Sequence, residues 1–279
     1  MSLIHKCSPV DNCLLDIYLS TVSLKKLSFH YACNVSLLFV EYEVMRLHRF
    51  YVKQPLGEEL VVENRALIHQ WTSVFRYTHG DVVVLFSPES PNIDYTYTIT
   101  SVTKAVVTLS LVSSEKSREV SDTTLYMALV KKDTFETIAR QATELGVKRI
   151  VPFISARSEK KNLDLERLER IVIEASEQSG RGAVPELSPI LTIQDALSDG
   201  QQHGGAHFCA SLYGKPLAVL KQDFIPVGRA AVWVGPEGGW TDEEEHLFKE
   251  SGFILISLTS TVLKADTGAV ASLTQVILR

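Results

Sequence analysis

From Thr123 to the C-terminus the hydrophobic pattern changes period repeatedly, and that alternation limits the fold more than any other feature of the chain. "TLYMALV" is a continuous apolar run of strand length and reads as a buried strand. Asp133 and Glu136 then stand at capping-box spacing, while Phe135, Ile138, Ala139, Ala142 and Leu145 share one helical face. Gly146 supplies the stop, and "RIVPFI" is the next strand. A second helix is predicted from about Asp164 to Gly180, with Leu165, Leu168, Ile171, Val172 and Ala175 inward. "AHFCASLY" and "AAVWV" follow as strands. Thr241 with Glu244 caps a helix that Gly252 closes, followed by the strand "FILISL" and a last helix over "GAVASLTQVIL". Strands alternating with helices specify a parallel sheet covered on both faces. Such sheets bind ligands beyond the carboxyl ends of their strands, where "GPEGG" and "TSTVLKADTG" both fall.

Residues 45–115 carry a different signal. "ELVV", "DVVVLF", "YTYTITSV" and "AVVTLSLV" are β-branched or aromatic runs. Turn residues at His79-Gly80-Asp81 and the Ser87–Asp94 loop separate them. Short strands at this spacing predict a small barrel. Residues 1–44 show no sustained period, and Met45 opens "MRLHRFYV" as a fresh start would. An appended segment is expected there, with an extra strand or helix as the alternative.

The 279 residues suffice for one large domain or two ordinary ones. Hydrophobic residues make up 45% and charged residues 22%, an ordinary balance for a globular protein. No apolar run is long enough to span a membrane, and a secretory leader pattern is not seen. Three of the four cysteines, Cys7, Cys13 and Cys33, precede residue 45 at spacings that match no common zinc pattern, and Cys209 stands alone. Reduced thiols in a cytoplasmic protein are the expectation. The net charge of −5 does not advertise a nucleic-acid binder, although a basic stripe can coexist with an acidic remainder.

Two stretches carry the chemistry. In "VGPEGGWTDEEE", Gly235, Gly238 and Gly239 permit positive φ and close approach of a ligand to the backbone, and Pro236 stiffens the turn. A phosphate-cradling loop would follow its glycines with a lysine; this one holds Glu237. Its ligand is expected to be neutral, hydroxyl-rich or cationic, with Glu237 accepting from ribose hydroxyls or an amino group, or holding a neighbouring loop. A plain strand-to-helix turn is the competing reading. In "SLTSTVLKADTGAV" the N-cap falls at Asp266 or Thr267, and Lys264 is the one cation. Taken alone, that stretch is a capped helix with a solvent-facing lysine.

Taken together, the stretches carry a resemblance. "MRLHRFYV", "SVFRYTHGD", "QATELGVKRIVPFISARS", "IEASEQSGRGAVPEL", "VGPEGGWTDEEE" and "SLTSTVLKADTGAVASL" are similar to the ribosomal RNA small subunit methyltransferase E family, within the SPOUT class of knotted methyltransferases. The likeness covers nearly all of residues 45–279. It implies a PUA-like, RNA-binding β-barrel over 45–115 and a trefoil-knotted parallel-sheet α/β domain over 120–279. It implies a homodimer with no membrane association, acting on small-subunit ribosomal RNA within the assembled or late-assembling subunit. The reaction it implies is methyl transfer from S-adenosylmethionine to N3 of a uridine. The cofactor residues it implies are Leu212, Gly235, Glu237, Gly238, Gly239, Leu258, Thr261, Val262, Leu263 and Thr267. For RNA contact it points to Arg46, Arg49 and Arg76. A knotted methyltransferase for transfer RNA, or a noncatalytic RNA-binding relic of the fold, are the alternatives.

The sequence departs from the family twice. Where the family's last loop reads L-R-x-E-T-A, this chain has Leu263, Lys264, Ala265, Asp266, Thr267 and Gly268; lysine keeps the charge but cannot form a bidentate fork. "SPESPNIDY" replaces a glycine-rich turn. Uridine N3 is a poor nucleophile until its proton is lost, so the site must position it and stabilise a developing imide anion. Arg157, Arg181 and Lys264 are the candidates for that stabilisation; the residues do not name a base. Between 45 and 112 four arginines and two lysines face Glu58, Glu59, Glu63, Asp81, Glu89 and Asp94, so a solvated surface competes with RNA contact there. His48, His69 and His246 have no metal-like partners and receive no role. "EKKNLDLERLER" reads as a charge run at the wet start of a helix.

Overall fold

The computed structural model describes residues 47–118, 120–216 and 228–277. The chain divides into two compact units, 1–47 and 48–279. The proposed fresh start at Met45, Arg46 and the three early cysteines lie outside the described residues. Within the second unit stand two sheets.

The first sheet contains β1 (Arg49–Tyr51), β2 (Glu59–Val62), β3 (Val82–Phe86), β4 (Ile93–Val102) and β5 (Val107–Lys116), in the order β1-β3-β4-β5-β2. All pairs are antiparallel except β1 with β3. The predicted barrel is not closed: β1 and β2 are the two edges of an open sheet among the described residues. Between β2 and β3 the helix α1 (Arg65–His69) runs on through a wider turn, Gln70–Val74. Asn64 caps it, its Oδ1 accepting from the amides of Ala66 and Leu67 at 3.0 and 3.2 Å. The core beneath is Trp71, Val83, Leu85, Tyr97, Ile99 and Leu109, all without exposure. Burial pushes the Tyr97 hydroxyl up to about 12, and it donates to the Gly57 carbonyl at 2.7 Å.

The second sheet is wholly parallel: β6 (Thr123–Ala128), β7 (Arg149–Ile154), β8 (Glu186–Leu187), β9 (Leu191–Thr192), β10 (Ala206–Pro216), β11 (Ala230–Val234) and β12 (Ile254–Ser257). Its order is β12-β10-β11-β6-β7-β8, with β9 also on β7. Every residue of β6 and β11 is buried, which is why these strands read as unbroken apolar runs rather than alternations. Alternate side chains serve two cores. Leu125, Met127, Val232 and Val234 meet α2 (Lys132–Glu144), α3 (Leu165–Ser179) and α6 (Ala265–Ile277). Tyr126, Ala128, Ala231 and Trp233 meet α4 (Ile193–His203) and α5 (Asp242–Glu250). At the centre of the second core Trp233 stacks on Tyr126, ring centroids 3.9 Å apart.

Two local expectations need correction. The helix α2 begins at Lys132, so Asp133 is inside its first turn, and the N-cap residue Lys131 makes no side-chain cap bond. The Glu136 carboxylate instead accepts a two-pronged bond from Arg167 on α3, at 2.6 and 2.9 Å, geometry a backbone amide cannot match. The sequence reading also passed over α4, because Ser198-Asp199-Gly200 resembles turn punctuation. Gly200 is there for space: a Cβ would lie 2.9 Å from the Trp233 ring and 3.0 Å from His207.

The two sheets meet at a joint built on "EASEQSGRG". The Glu177 carboxylate accepts from the Tyr51 amide at 2.9 Å, and the Gly182 carbonyl accepts from the Asn92 amide at 3.3 Å. Arg49 donates to the Arg181 carbonyl at 2.9 Å and to Asp94 at 2.5 Å, with its guanidinium over Phe86. Arg181 is 5% exposed and donates to the carbonyls of Thr143 (2.8 Å) and Val147 (2.6 Å). Both carbonyls lie where the regular bonding of α2 has ended, and that of Thr143 also accepts from the Gly146 amide at 3.0 Å. Burial pulls its guanidinium down to about 10, still charged at neutral pH.

Two outcomes follow from these contacts. Arg181→Ala takes the charged donor from the Val147 carbonyl and one of two donors from the Thr143 carbonyl, and should cost about 2 kcal/mol of stability; a loss under about 1 kcal/mol in urea melts refutes the clamp. His207, 9% exposed, accepts from Trp233 Nε1 at 3.1 Å and stacks on Phe253. Burial holds its pKa below the usual value, so the folded state prefers the neutral ring. Its contribution is complete above the unfolded value near 6.5 and is lost as pH falls through that value toward the lower folded one. His207→Asn should therefore show a shallower loss of stability between about pH 7.5 and 5.5 than the parent chain; parallel pH profiles contradict this.

Candidate functional site

The carboxyl ends of β6, β7, β10, β11 and β12 converge on one edge of the second sheet, and the loop after β11 lies at the centre of that edge. Its three glycines have three different reasons. A Cβ on Gly235 would lie 3.0 Å from the Trp240 indole, and one on Gly238 would lie 3.2 Å from Arg157 Cβ. Gly239 alone has positive φ, 67°, with its amide donating to the Pro236 carbonyl at 2.9 Å. Of the three positions that permit positive φ, only Gly239 uses it.

Each neighbouring segment holds this loop. From the β6 end, the Lys131 amide donates to Glu237 Oε1 at 3.3 Å. From the β7 end, Arg157 Nη1 donates to the Gly238 carbonyl at 2.8 Å. The Ala156 amide donates to Glu244 Oε1 at 2.8 Å, while Glu244 Oε2 accepts from the Thr241 amide at 2.9 Å. That second bond belongs to the predicted capping box of α5, which the structure contains. From the β10 end, the Ala210 carbonyl accepts from Trp240 Nε1 at 2.8 Å. Of the readings open for Glu237, the structure places its side chain as a tie to a neighbouring loop, exposed on its outer side.

The loop after β12 is folded by its own hydroxyls. Thr259 Oγ1 donates to the Thr261 carbonyl at 2.7 Å and accepts from its amide at 3.1 Å. Leu258 packs on the first core, Leu263 is half-buried, and Val262 and Thr267 are exposed. The helix α6 starts at Ala265, ahead of the predicted cap, and the Lys264 carbonyl accepts from the Gly268 amide at 2.8 Å. Lys264 therefore occupies the cap position with its ammonium exposed. Asp266, inside the first turn, accepts from the Thr267 amide.

The chain leaving β10 holds what the sequence reading missed. Its register against β12 jumps from Ala210↔Ile256 to Lys215↔Ile256, so residues 211–214 bulge outward. At Gly214 a Cβ would overlap the backbone of Ile256. A glycine inside a strand pattern was the available signal. The bulge presents Leu212 and Tyr213, 53% and 84% exposed.

The structure gathers Gly235, Glu237, Gly238, Gly239 and Arg157 in one place. It separates Arg181 from them: its partners Thr143 and Val147 precede β7, at the opposite, amino-terminal edge of the sheet. The expectation of a catalytic Arg181 is therefore corrected, since its Nη atoms face carbonyls and it is buried. Arg49, expected at RNA, is instead in the joint, with its side chain 11% exposed. Arg76 is exposed in a left-handed conformation, φ 57°. No described group of three or more histidine, cysteine or acidic side chains could hold a metal ion. Cys209 is buried and free, its thiol pushed up by burial.

The site's surfaces fit an adenosyl cofactor. Gly268 is buried, yet a Cβ there would meet nothing within 4 Å, and Gly239 is equally open. Around these spaces stand loop amides and carbonyls, exposed apolar side chains and carboxylates including Glu237 and Asp266, and no lysine follows the glycines as a phosphate loop would require.

Known proteins agree. The chain matches the model of an RNA methyltransferase domain over residues 116–277. It is 28% identical to a ribosomal RNA small subunit methyltransferase E of Rickettsia conorii, covering 83% of this chain and 96% of that one. It is 31% identical to the protein of that name from Helicobacter pylori strain 26695, covering 65% of this chain and 80% of that one. Its fold superposes on a ribosomal RNA small subunit methyltransferase E from Neisseria gonorrhoeae bound to S-adenosyl methionine, with a TM-score of 0.72 at 27% identity over 82% of this chain and 95% of that one. A matching domain model over more than half the chain, with these relatives, places the chain in the ribosomal RNA small subunit methyltransferase E family of RNA methyltransferases.

Proposed function

We propose that the chain methylates small-subunit ribosomal RNA at N3 of a uridine, using S-adenosylmethionine. The observation that carries this is the glycine loop: three neighbouring segments hold its backbone open at the carboxyl edge of a parallel sheet. The Gly235–Gly239 backbone, Glu237, Leu212, Leu258, Thr261, Val262, Leu263 and Thr267 would hold the cofactor, which supplies an electrophilic methyl on a sulfonium. Two cations remain near the reacting base once Arg181 is removed. Arg157 is fixed by one nitrogen to Gly238 and keeps the rest of its fork for an anionic imide oxygen. Lys264 stands at the start of α6, where the helix dipole adds to its positive field. Both favour loss of the N3 proton and hold the resulting anion in line for attack. The N3–C bond forms as the S–C bond breaks, and the N3 proton leaves to solvent or an unidentified base.

The first sheet serves as the PUA-like RNA grip, with Arg76 among its exposed cations. The passage of Gly214 against Ile256 supports reading the β10–β12 crossing as the trefoil knot. Leu212, Tyr213 and Val262 present apolar surface at the site edge, which supports a homodimer whose partner covers them. A transfer-RNA substrate finds no separate support, and a noncatalytic relic is distinguished by calorimetry, since it should not bind cofactor.

Three outcomes test this reading. Gly239→Val forces a β-branched residue to positive φ and should weaken cofactor binding about tenfold or more; normal affinity by calorimetry reduces the loop to a turn. Lys264→Ala should slow single-turnover methylation by about a hundredfold while cofactor affinity stays within about threefold; an unchanged rate removes Lys264 from the reaction. In sedimentation the parent chain should be a dimer at micromolar concentration and the Leu212→Asp/Tyr213→Asp variant a monomer. A monomeric parent that methylates RNA rejects the dimer.

A further inference from the structure

The charge run between β7 and α3 is not absorbed by the cofactor site. It faces α2 across a groove of about 470 Å³ lined by Lys132, Lys160, Asn162, Leu163 and Asp164. Two lysine ammoniums beside apolar stems and Leu163 suit a sugar–phosphate chain, in which charged phosphates alternate with less polar sugars. The groove shares both of its walls with the glycine loop. The α2 wall begins at Lys131, whose amide holds Glu237, and the loop wall begins at Arg157, which holds Gly238.

The local charge balance is positive although the chain is acidic. Lys131, Lys132, Arg157, Lys160 and Lys161 are all exposed. Two of the nearby carboxylates are engaged elsewhere. Asp164 caps α3, accepting from the Arg167 amide at 3.0 Å. Glu136 accepts both prongs of Arg167 and is only 3.9 Å from Lys132. Asp133, Glu159, Glu237 and Glu243 remain as the opposing charges, all exposed to solvent, against the five cations.

We infer that this groove is an RNA-contact surface of the methyltransferase domain itself, taking the sugar–phosphate backbone that flanks the target nucleotide. It is separate from the grip of the first sheet and rests on the proposed RNA-methylation reading. Lys132 and Lys160 reach one phosphate from opposite walls as point charges, and Lys161 and Lys131 extend the track toward the glycine loop. A strand lying in the groove passes directly beside the loop that holds the cofactor. Its neighbouring base is thereby brought to the reacting edge.

The test uses the whole chain, a small-subunit ribosomal RNA transcript, and the Lys160→Ala/Lys161→Ala variant. Both side chains are exposed, so the fold should be kept, as a thermal melt will show. The variant should bind RNA about tenfold more weakly at moderate salt, and its log K against log salt line should be shallower by about 0.7 to 0.9 per lysine. Lys160→Arg/Lys161→Arg should restore both. Calorimetric affinity for S-adenosylmethionine should not change. Parent-like RNA affinity and salt slope in the alanine variant overturn the inference, as does weaker binding with an unchanged slope or a parent chain that binds no RNA. A parent chain that binds RNA with the expected slope but does not bind cofactor overturns the methylation reading and leaves the groove standing.

Discussion

The carboxylate of Glu244 is 4% exposed and has no cationic partner among the described residues, yet the geometry of the site depends on it. One oxygen accepts the Ala156 amide and the other the Thr241 amide, so a single planar group fixes the turn after β7 to the first turn of α5. Bonds between a charged acceptor and backbone donors contribute about 1.5 to 3 kcal/mol each, and the positive end of α5 favours the charge further. With those two segments fixed, Arg157 lies within reach of the Gly238 carbonyl. Trp240, stacked over Phe153 and edge-on to Phe248, seals the loop from beneath. The exposed glycine backbone is open because everything around it is held.

How much of this could be read in the chain depends on the range of the interaction. Buried on both faces, β6 and β11 announced themselves as apolar runs, and the α5 capping box lies within four residues. These are local rules, and local rules survive folding. The glycine loop and the Lys264 loop were legible as site segments for the same reason. What failed was long in sequence: Arg181 meets carbonyls 38 and 34 residues earlier, and Arg49 meets an aspartate 45 residues away. An arginine after a helix-ending glycine reads as a surface cation, and nothing nearby in sequence records the carbonyls waiting for it. Glu136 shows the same competition in miniature. Its spacing from Asp133 fitted a cap, but a guanidinium from another helix offers a better-matched donor pair.

Those two arginines give "EASEQSGRG" a role other than chemistry. Gly182 lies where a side chain would overlap Ser117, so the backbones of the two sheets can approach closely there. Around it Arg49, Arg181, Glu177 and Asn92 exchange bonds between backbone and side chains rather than pairing only by charge. Such contacts depend on fixed peptide geometry and are less easily displaced by salt than the exposed Lys53–Glu169 pair, whose side chains are 64% and 48% exposed. The joint therefore fixes the first sheet in one orientation against the second.

An acidic chain with an RNA substrate is a problem of distribution rather than of total. At a net charge of −5 the far field opposes a polyanion, but screening confines that field to about 8 to 10 Å at physiological salt. At the glycine loop stand Lys131, Arg157 and Glu237, and the adjoining groove carries Lys132 and Lys160 with Lys161 beside them. The acidic first turn of α5, with Asp242, Glu243, Glu244 and Glu245, stabilises its own helix and borders the same loop. One side of the site is thus cationic and the other anionic. On the reading proposed above, a polyanionic strand is favoured along the α2 side, and a cofactor bearing an amino group and a sulfonium toward the α5 side. The charge pattern thereby assigns each reactant its own side of the loop before any specific contact is made.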